Sequence, residues 1–147
     1  METIEVRFAT KPCVAASWAR RFVAATLKSE RRAGWGVSVL ITGDAEIRRL
    51  NRGWLRHDYA TDVIAFGVEG PTLPGTERLL GDVVVSADTA RRVAAELGLP
   101  WREELARYLV HGTLHLIGYD DKKPADHRRM HRRQEAILKK AWKGTRA

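Results

Sequence analysis

The segment HGTLHLIGYDD, residues 111–121, holds two histidines four positions apart, then a glycine and two adjacent carboxylates. Side chains at i and i+4 share one face of a helix, so the imidazoles of His111 and His115 can reach a single ion. Gly118 lets the chain turn sharply three residues after His115, and Asp121 follows three residues later, giving HxxxHxxGxxD. Two imidazole nitrogens and one carboxylate oxygen are ligands that zinc accepts. They leave the fourth tetrahedral position open for water, which is the arrangement of a catalytic rather than a structural site. An HxxxH pair alone is weak, because buried histidines are commonly core residues; the glycine turn and the carboxylate make this one specific.

In zinc proteases of the HExxH type, the third ligand stands six residues after the second histidine, beyond the same glycine turn. That spacing points to Asp121 rather than Asp120. His127, in the first turn of the following helix, is the rival third ligand, its plainer reading being a solvated surface histidine. Those proteases carry a glutamate directly after the first histidine as general base. Here that position is Gly112, which argues against peptide hydrolysis.

These residues need elements to hold them. Residues 100–117 read as a helix that is apolar on several faces, with Leu105, Leu109, Gly112 and Leu116 on one and Val110, Leu114 and Ile117 on another. Such a helix is buried. Gly118 caps it and Pro124 opens a last helix reaching about Trp142. Upstream, residues 3–8 (TIEVRF) alternate as a strand, 12–27 have helical spacing through Val14, Trp18, Phe22 and Ala25 and open at Pro12, and 36–41 (GVSVLI) form a second strand. Asp44 is placed to cap a short helix through Leu50. A polar loop, NRGWLRHDYA, leads to a short strand over 62–66, and GVEGPTLPGTE reads as a surface loop. Residues 79–86 (LLGDVVVS), almost continuously apolar, predict a central strand. A helix over 87–97 ends at Gly98. The pattern gives four strands and five helices in one domain over residues 1–147, with the helix over 100–117 central.

The chain has 147 residues, 44% of them hydrophobic and 30% charged, as a soluble domain with its own core requires. No apolar run approaches the roughly 20 residues that cross a bilayer. The start, METIEVRFAT, lacks signal-peptide regions, so a cytoplasmic protein with no membrane partner is expected. The lone Cys13 receives no role. The net charge of +8 sits entirely in residues 122–147, which hold ten of the 26 Lys and Arg but two of the 18 acids. Arg129, Arg132 and Arg133 recur there at helical spacing beside Met130, Ile137 and Ala141. The plain reading is a solvated helix face; the sharper one is a face that meets phosphates.

Taken together, HGTLHLIGYD, GDVVVSADTA, and Leu50-Asn51 followed by TDVIAF (residues 61–66) resemble, in order, the signatures of the YbeY-type rRNA maturation factors. The likeness spans about residues 40–138 and implies an α+β fold, a small mixed sheet of about four strands packed with helices, with the metal site at the end of a buried central helix. It implies a zinc-dependent, single-strand-specific endoribonuclease acting in 16S rRNA 3′-end maturation and ribosome quality control, one Zn2+ per chain. The implied partners are single-stranded rRNA, as 16S precursor or small ribosomal subunit, with no DNA. Two departures stand out. The family commonly ends its motif GYDH, where this chain has GYDD; a carboxylate keeps the ligand but makes the bound water less acidic. The family often has an arginine where this chain has Leu55, with Arg56 one residue later. Arg56 is the candidate catalytic residue, clamping a phosphate. The nucleophile is either a metal-activated water or the RNA 2′-hydroxyl. The rival from another class is a non-catalytic, zinc-stabilised rRNA-binding assembly factor.

Overall fold

The structure is a computed structural model that describes residues 3–9, 11–54, 62–68 and 78–143. Its elements are β1 (Ile4–Phe8), α1 (Ala16–Ser29), β2 (Gly36–Thr42), α2 (Asp44–Trp54), β3 (Val63–Gly67), β4 (Leu79–Ser86), α3 (Ala87–Leu97), α4 (Trp101–Ile117) and α5 (Pro124–Trp142). The four strands form one mixed sheet in the order β1-β2-β4-β3. The β1/β2 and β2/β4 pairs are parallel, and β3 closes the edge antiparallel to β4.

The near-continuous apolar run of β4 has its cause in this order, since a strand between two others with both faces covered can place apolar side chains on both. Val83 and Val85 face the main core with Val37, Val39 and Ile41, beneath α1, α4 and α5. Val84 faces the other way, against Ile64 and Ile47 under α2. In the main layer α4 buries Leu105, Ala106, Leu109, Val110 and Leu114 completely. The expected α+β architecture, with a buried central helix, is the one observed. Among the described residues, no helix is long and apolar enough to cross a membrane.

Three local expectations are corrected. Pro12 does not open α1, which begins at Ala16 after an extended Ala15. The apolar spacing carries across that boundary because Val14, though outside the helix, packs on the same core. The second helix does not stop at Leu50 but runs to Trp54, since Ile47, Leu50 and Asn51 share one inward face and Asn51 is buried. The rest of that expected loop, residues 55–60, lies outside the described residues. Asp44, expected to cap its own helix, is the first residue of α2 and serves α3 instead. Its carboxylate accepts from Ser86 Oγ (2.7 Å), Thr89 Oγ1 (2.6 Å) and Arg92 (2.7 Å). Ser86 then caps α3 through the Thr89 N–H.

Candidate metal centre

Helix α4 presents a polar stripe along its length toward α5. Glu104, Tyr108, His111 and His115 succeed one another at four-, three- and four-residue steps, so they lie along one helix face. At the helix end Gly118 adopts φ 120°, a backbone conformation that side chains rarely take. Its N–H and that of Tyr119 close on the last carbonyls of α4, those of Leu114 and His115. This turn brings Asp121 back over the histidine pair.

The three ligand atoms converge. His111 Nε2 lies 3.1 Å from His115 Nε2, and Asp121 Oδ2 lies 3.6 Å from the first and 3.5 Å from the second. A tetrahedral zinc with arms of about 2.0–2.2 Å separates its ligands by about 3.3–3.6 Å. The cluster therefore has the size of a tetrahedral face, and a cation would fit with only small adjustments.

The far nitrogens fix the tautomers. His111 Nδ1 meets Gln134 Oε1 at 2.6 Å, and His115 Nδ1 meets the Tyr119 carbonyl at 3.0 Å. Both partners accept, so each Nδ1 carries the proton and donates it, leaving each Nε2 with a bare lone pair aimed into the cluster. Two bare lone pairs 3.1 Å apart repel, and a shared cation relieves that repulsion. Burial pushes the His111 imidazole below its ordinary pKa, against the bond from Gln134, with His115 adding to the lowering. The neutral form favoured in this way is the form that binds metal. Side-chain exposures of 25% for His111, 28% for His115 and 35% for Asp121 leave one side of the cluster open.

Gln134 is itself held. Its Nε2 donates to Glu135 at 3.0 Å, which settles the orientation of the amide and keeps Oε1 toward His111. Glu135 receives two bonds from Arg107, at 2.9 and 3.0 Å, and Arg107 also reaches Glu104 at 2.5 Å. Burial raises the Glu135 carboxyl, but the bonds from Arg107 and Gln134 outweigh it and hold it below its usual range. A half-buried chain of charges thus runs from Glu104 through α5 to the His111 ring.

Beside the cluster, between α4 and α5, opens a cavity of about 240 Å3. His127 lines it but stands apart from the His111, His115 and Asp121 group that could hold a metal ion. Its ring lies nearly parallel to that of His131, one turn on, with centroids 6.3 Å apart. Arg56 lies outside the described residues. Of the three arginines expected to meet phosphates, Arg129 and Arg132 are exposed on α5, the former bonded to Asp126 at 2.8 Å. Arg133 turns inward to Glu30 and Ser29, fastening α5 to the end of α1. Gly112 faces the sheet, so its lack of a side chain serves packing and not only the absence of a base. Sequence reasoning missed Gln134, Tyr108 and the Glu104–Arg107–Glu135 chain. The signal available was the 104/108/111/115 recurrence, and a glutamine and glutamate standing together in an otherwise basic helix.

A mixed four-stranded sheet, with a His-His-Asp cluster fit for a cation at the end of its central helix, defines an α+β domain of metal-site type. The chain belongs to the YbeY endoribonuclease family, the profile "Endoribonuclease YbeY" matching residues 5–142. Among similar proteins, "Endoribonuclease YbeY" of Anaeromyxobacter sp. (strain Fw109-5) is 48% identical over 82% of this chain and 62% of its own length. The protein of the same name from Chloroflexus aggregans is 41% identical over 92% of this chain and 94% of its own. The chain thus spans about three fifths of the length of the first relative and nearly all of the second. In fold it is similar to the solution structure of TM1509 from Thermotoga maritima, with a TM-score of 0.65 over 95% of this chain and 89% of that one, at 24% identity.

Proposed function

We propose that this chain is a zinc-dependent, single-strand-specific endoribonuclease that acts on rRNA, in 16S 3′-end maturation and ribosome quality control, in the cytoplasm. The observation that carries the reading is the convergence of His111 Nε2, His115 Nε2 and Asp121 Oδ2 at tetrahedral spacings beside an open cavity. Membership of the YbeY family supports RNA as the substrate class.

In this reading His111, His115 and Asp121 hold the metal, Gln134 and the Tyr119 carbonyl fix the two rings, and His127 is not a ligand. When bound, the ion supplies Lewis acidity toward a phosphoryl oxygen. The chain supplies the rest. Asp121 adds a negative charge that keeps the site from over-binding an anionic phosphate, Arg56 is assigned to clamp that phosphate, and Arg129 and Arg132 hold the flanking backbone. Solvent reaches the cluster from the cavity side, where an unpaired strand can enter.

The test is cleavage of a labelled single-stranded RNA by purified protein, metal-stripped and reloaded, beside His115→Ala purified in parallel. Cleavage by the reloaded wild type, absent with His115→Ala and with a duplex of the same sequence, is expected. Equal cleavage by wild type and His115→Ala would assign the activity to a contaminant and leave a non-catalytic rRNA-binding assembly factor as the function.

A further inference from the structure

The metal reading leaves part of the cavity between α4 and α5 without a task. Beyond His111 and Asp121, its walls include Tyr108, Glu104, His127 and His131. Tyr108 is 4% exposed, yet its hydroxyl makes no hydrogen bond among the described residues. It is also one of the residues that line the cavity. A buried tyrosine usually finds a partner for its O–H, because an unpaired polar group in a dry interior is expensive. Here the hydroxyl is kept in reserve at the floor of a cavity. Among its neighbours, the Arg107 guanidinium is spent on Glu135 and Glu104.

At the lip, the rings of His127 and His131 are exposed and tilted only 14° from one another. They are two flat faces one helical turn apart, on the same side of α5 as the cavity. At about 240 Å3 the cavity is smaller than the roughly 300–1,000 Å3 that encloses a drug-sized ligand, which suits one planar ring system rather than a whole nucleotide.

We propose that this cavity is a nucleobase subsite: the unpaired base of a bound strand stacks on His127 and His131 and hydrogen-bonds to the Tyr108 hydroxyl, while its phosphate lies at the His111–His115–Asp121 cluster. Aromatic stacking of an unpaired base, with hydrogen bonds to its edge, is how proteins hold single-stranded RNA. It also gives a physical reason for discrimination against duplex, whose bases are stacked on each other and cannot enter. The proposal rests on the reading of the chain as a binder of single-stranded RNA.

The test compares two strands with one backbone: a short labelled single-stranded RNA, 2′-O-methylated to prevent cleavage, and its counterpart with abasic residues throughout. Both are titrated by fluorescence anisotropy against the metal-loaded full chain. Stacking is worth about 1–3 kcal/mol per base, so the base-bearing strand should bind wild type at least about fivefold more tightly than the abasic one. His127→Ala/His131→Ala should remove most of that gap, and Tyr108→Phe a smaller part, with abasic binding unchanged. Both are mild substitutions, two at the surface and one removing a single oxygen, and the abasic titration reports whether each variant is folded. Two results would overturn the proposal while leaving RNA binding intact: variants that keep the full gap, or a wild type that binds both strands equally. Binding of neither strand would sink the underlying reading and the subsite with it.

Discussion

Gly112 packs directly against the sheet, and replacing it by alanine tests whether that close approach sets the metal centre. A Cβ there would lie 2.6 Å from Val83 Cγ1 and 2.9 Å from Val63 Cγ2. Ordinary carbon contacts are about 3.5–4.0 Å, so the helix or the strands must give by about 1 Å. Neither valine can swing aside easily. Both are β-branched and stiff, they sit on adjacent strands, and the second methyl of Val83 is itself only 3.4 Å away. Overpacking of this kind costs about 1–3 kcal/mol, against about 1 kcal/mol gained when alanine replaces glycine inside a helix. With two clashes the upper part of that range applies, and the net loss should be about 1–2 kcal/mol. For a domain of this size that lowers Tm by about 2–8 °C. His111 precedes Gly112 and must move with the helix, whereas Asp121 is held beyond the Gly118 turn, so zinc affinity should fall as well. Thermal unfolding with metal stripped, and competitive titration against a zinc chelator, measure the two effects separately. A variant as stable as wild type with unchanged zinc affinity would show that the contact is slack and that the glycine is not what allows the close approach.

Elemental analysis should find about one zinc per chain in the wild type and in His127→Ala, with most of it gone from His111→Ala and Asp121→Ala; a full Asp121→Ala and an empty His127→Ala would reassign the third ligand. Each Lys or Arg that neutralises a phosphate on a single strand contributes about 0.7 to the slope of affinity against salt. Arg129→Ala/Arg132→Ala should therefore flatten that slope by about 1.4 and leave Tm nearly unchanged, and an unaltered slope would make the α5 face merely solvated. Arg133→Ala should do the opposite, lowering Tm with little change in slope, because it removes the partner of Glu30. Burial raises the Glu30 carboxyl, but the bonds from Tyr119 and Arg133 and the nearby guanidinium charges outweigh it and hold it below its ordinary value of 4.5. A depressed carboxylate gives stability that is whole above the ordinary pKa and is lost as pH falls through the folded value. Wild-type Tm should accordingly fall more steeply with acidification below about pH 4.5 than that of Glu30→Gln, and parallel curves would remove the ion pair from the account.

Much of this was legible in the chain because it depends on spacing over short distances. The 111/115 pair, the Gly118 turn and Asp121 span eleven residues, and helix geometry alone carries them onto one spot. The central strand was legible from VVVS, because only a strand covered on both faces can be apolar on both. Element ends were less so. Pro12 and the polar NRGW look like a helix start and a loop by composition, but where a helix ends depends on which residues find a core, and Val14 and Asn51 found one outside the expected bounds.

What needed the tertiary structure is everything joined across the chain. Gln134 reaches His111 over 23 positions and Arg107 reaches Glu135 over 28, and no local pattern marks either pair. The three arginines of α5 are alike in sequence, and only the docking of α5 beside α1 turns Arg133 inward to Glu30 while leaving Arg132 at the surface. Asp44 looked like a cap for its own helix until α3 was packed beside it and offered three better donors. Periodicity tells which face of a helix turns inward, whereas the partner waiting there is set by the packing of elements distant in sequence. The sequence by itself therefore determined which three side chains come close enough to share an ion, and the packing of α5 on α4 decided which nitrogen of His111 carries its proton.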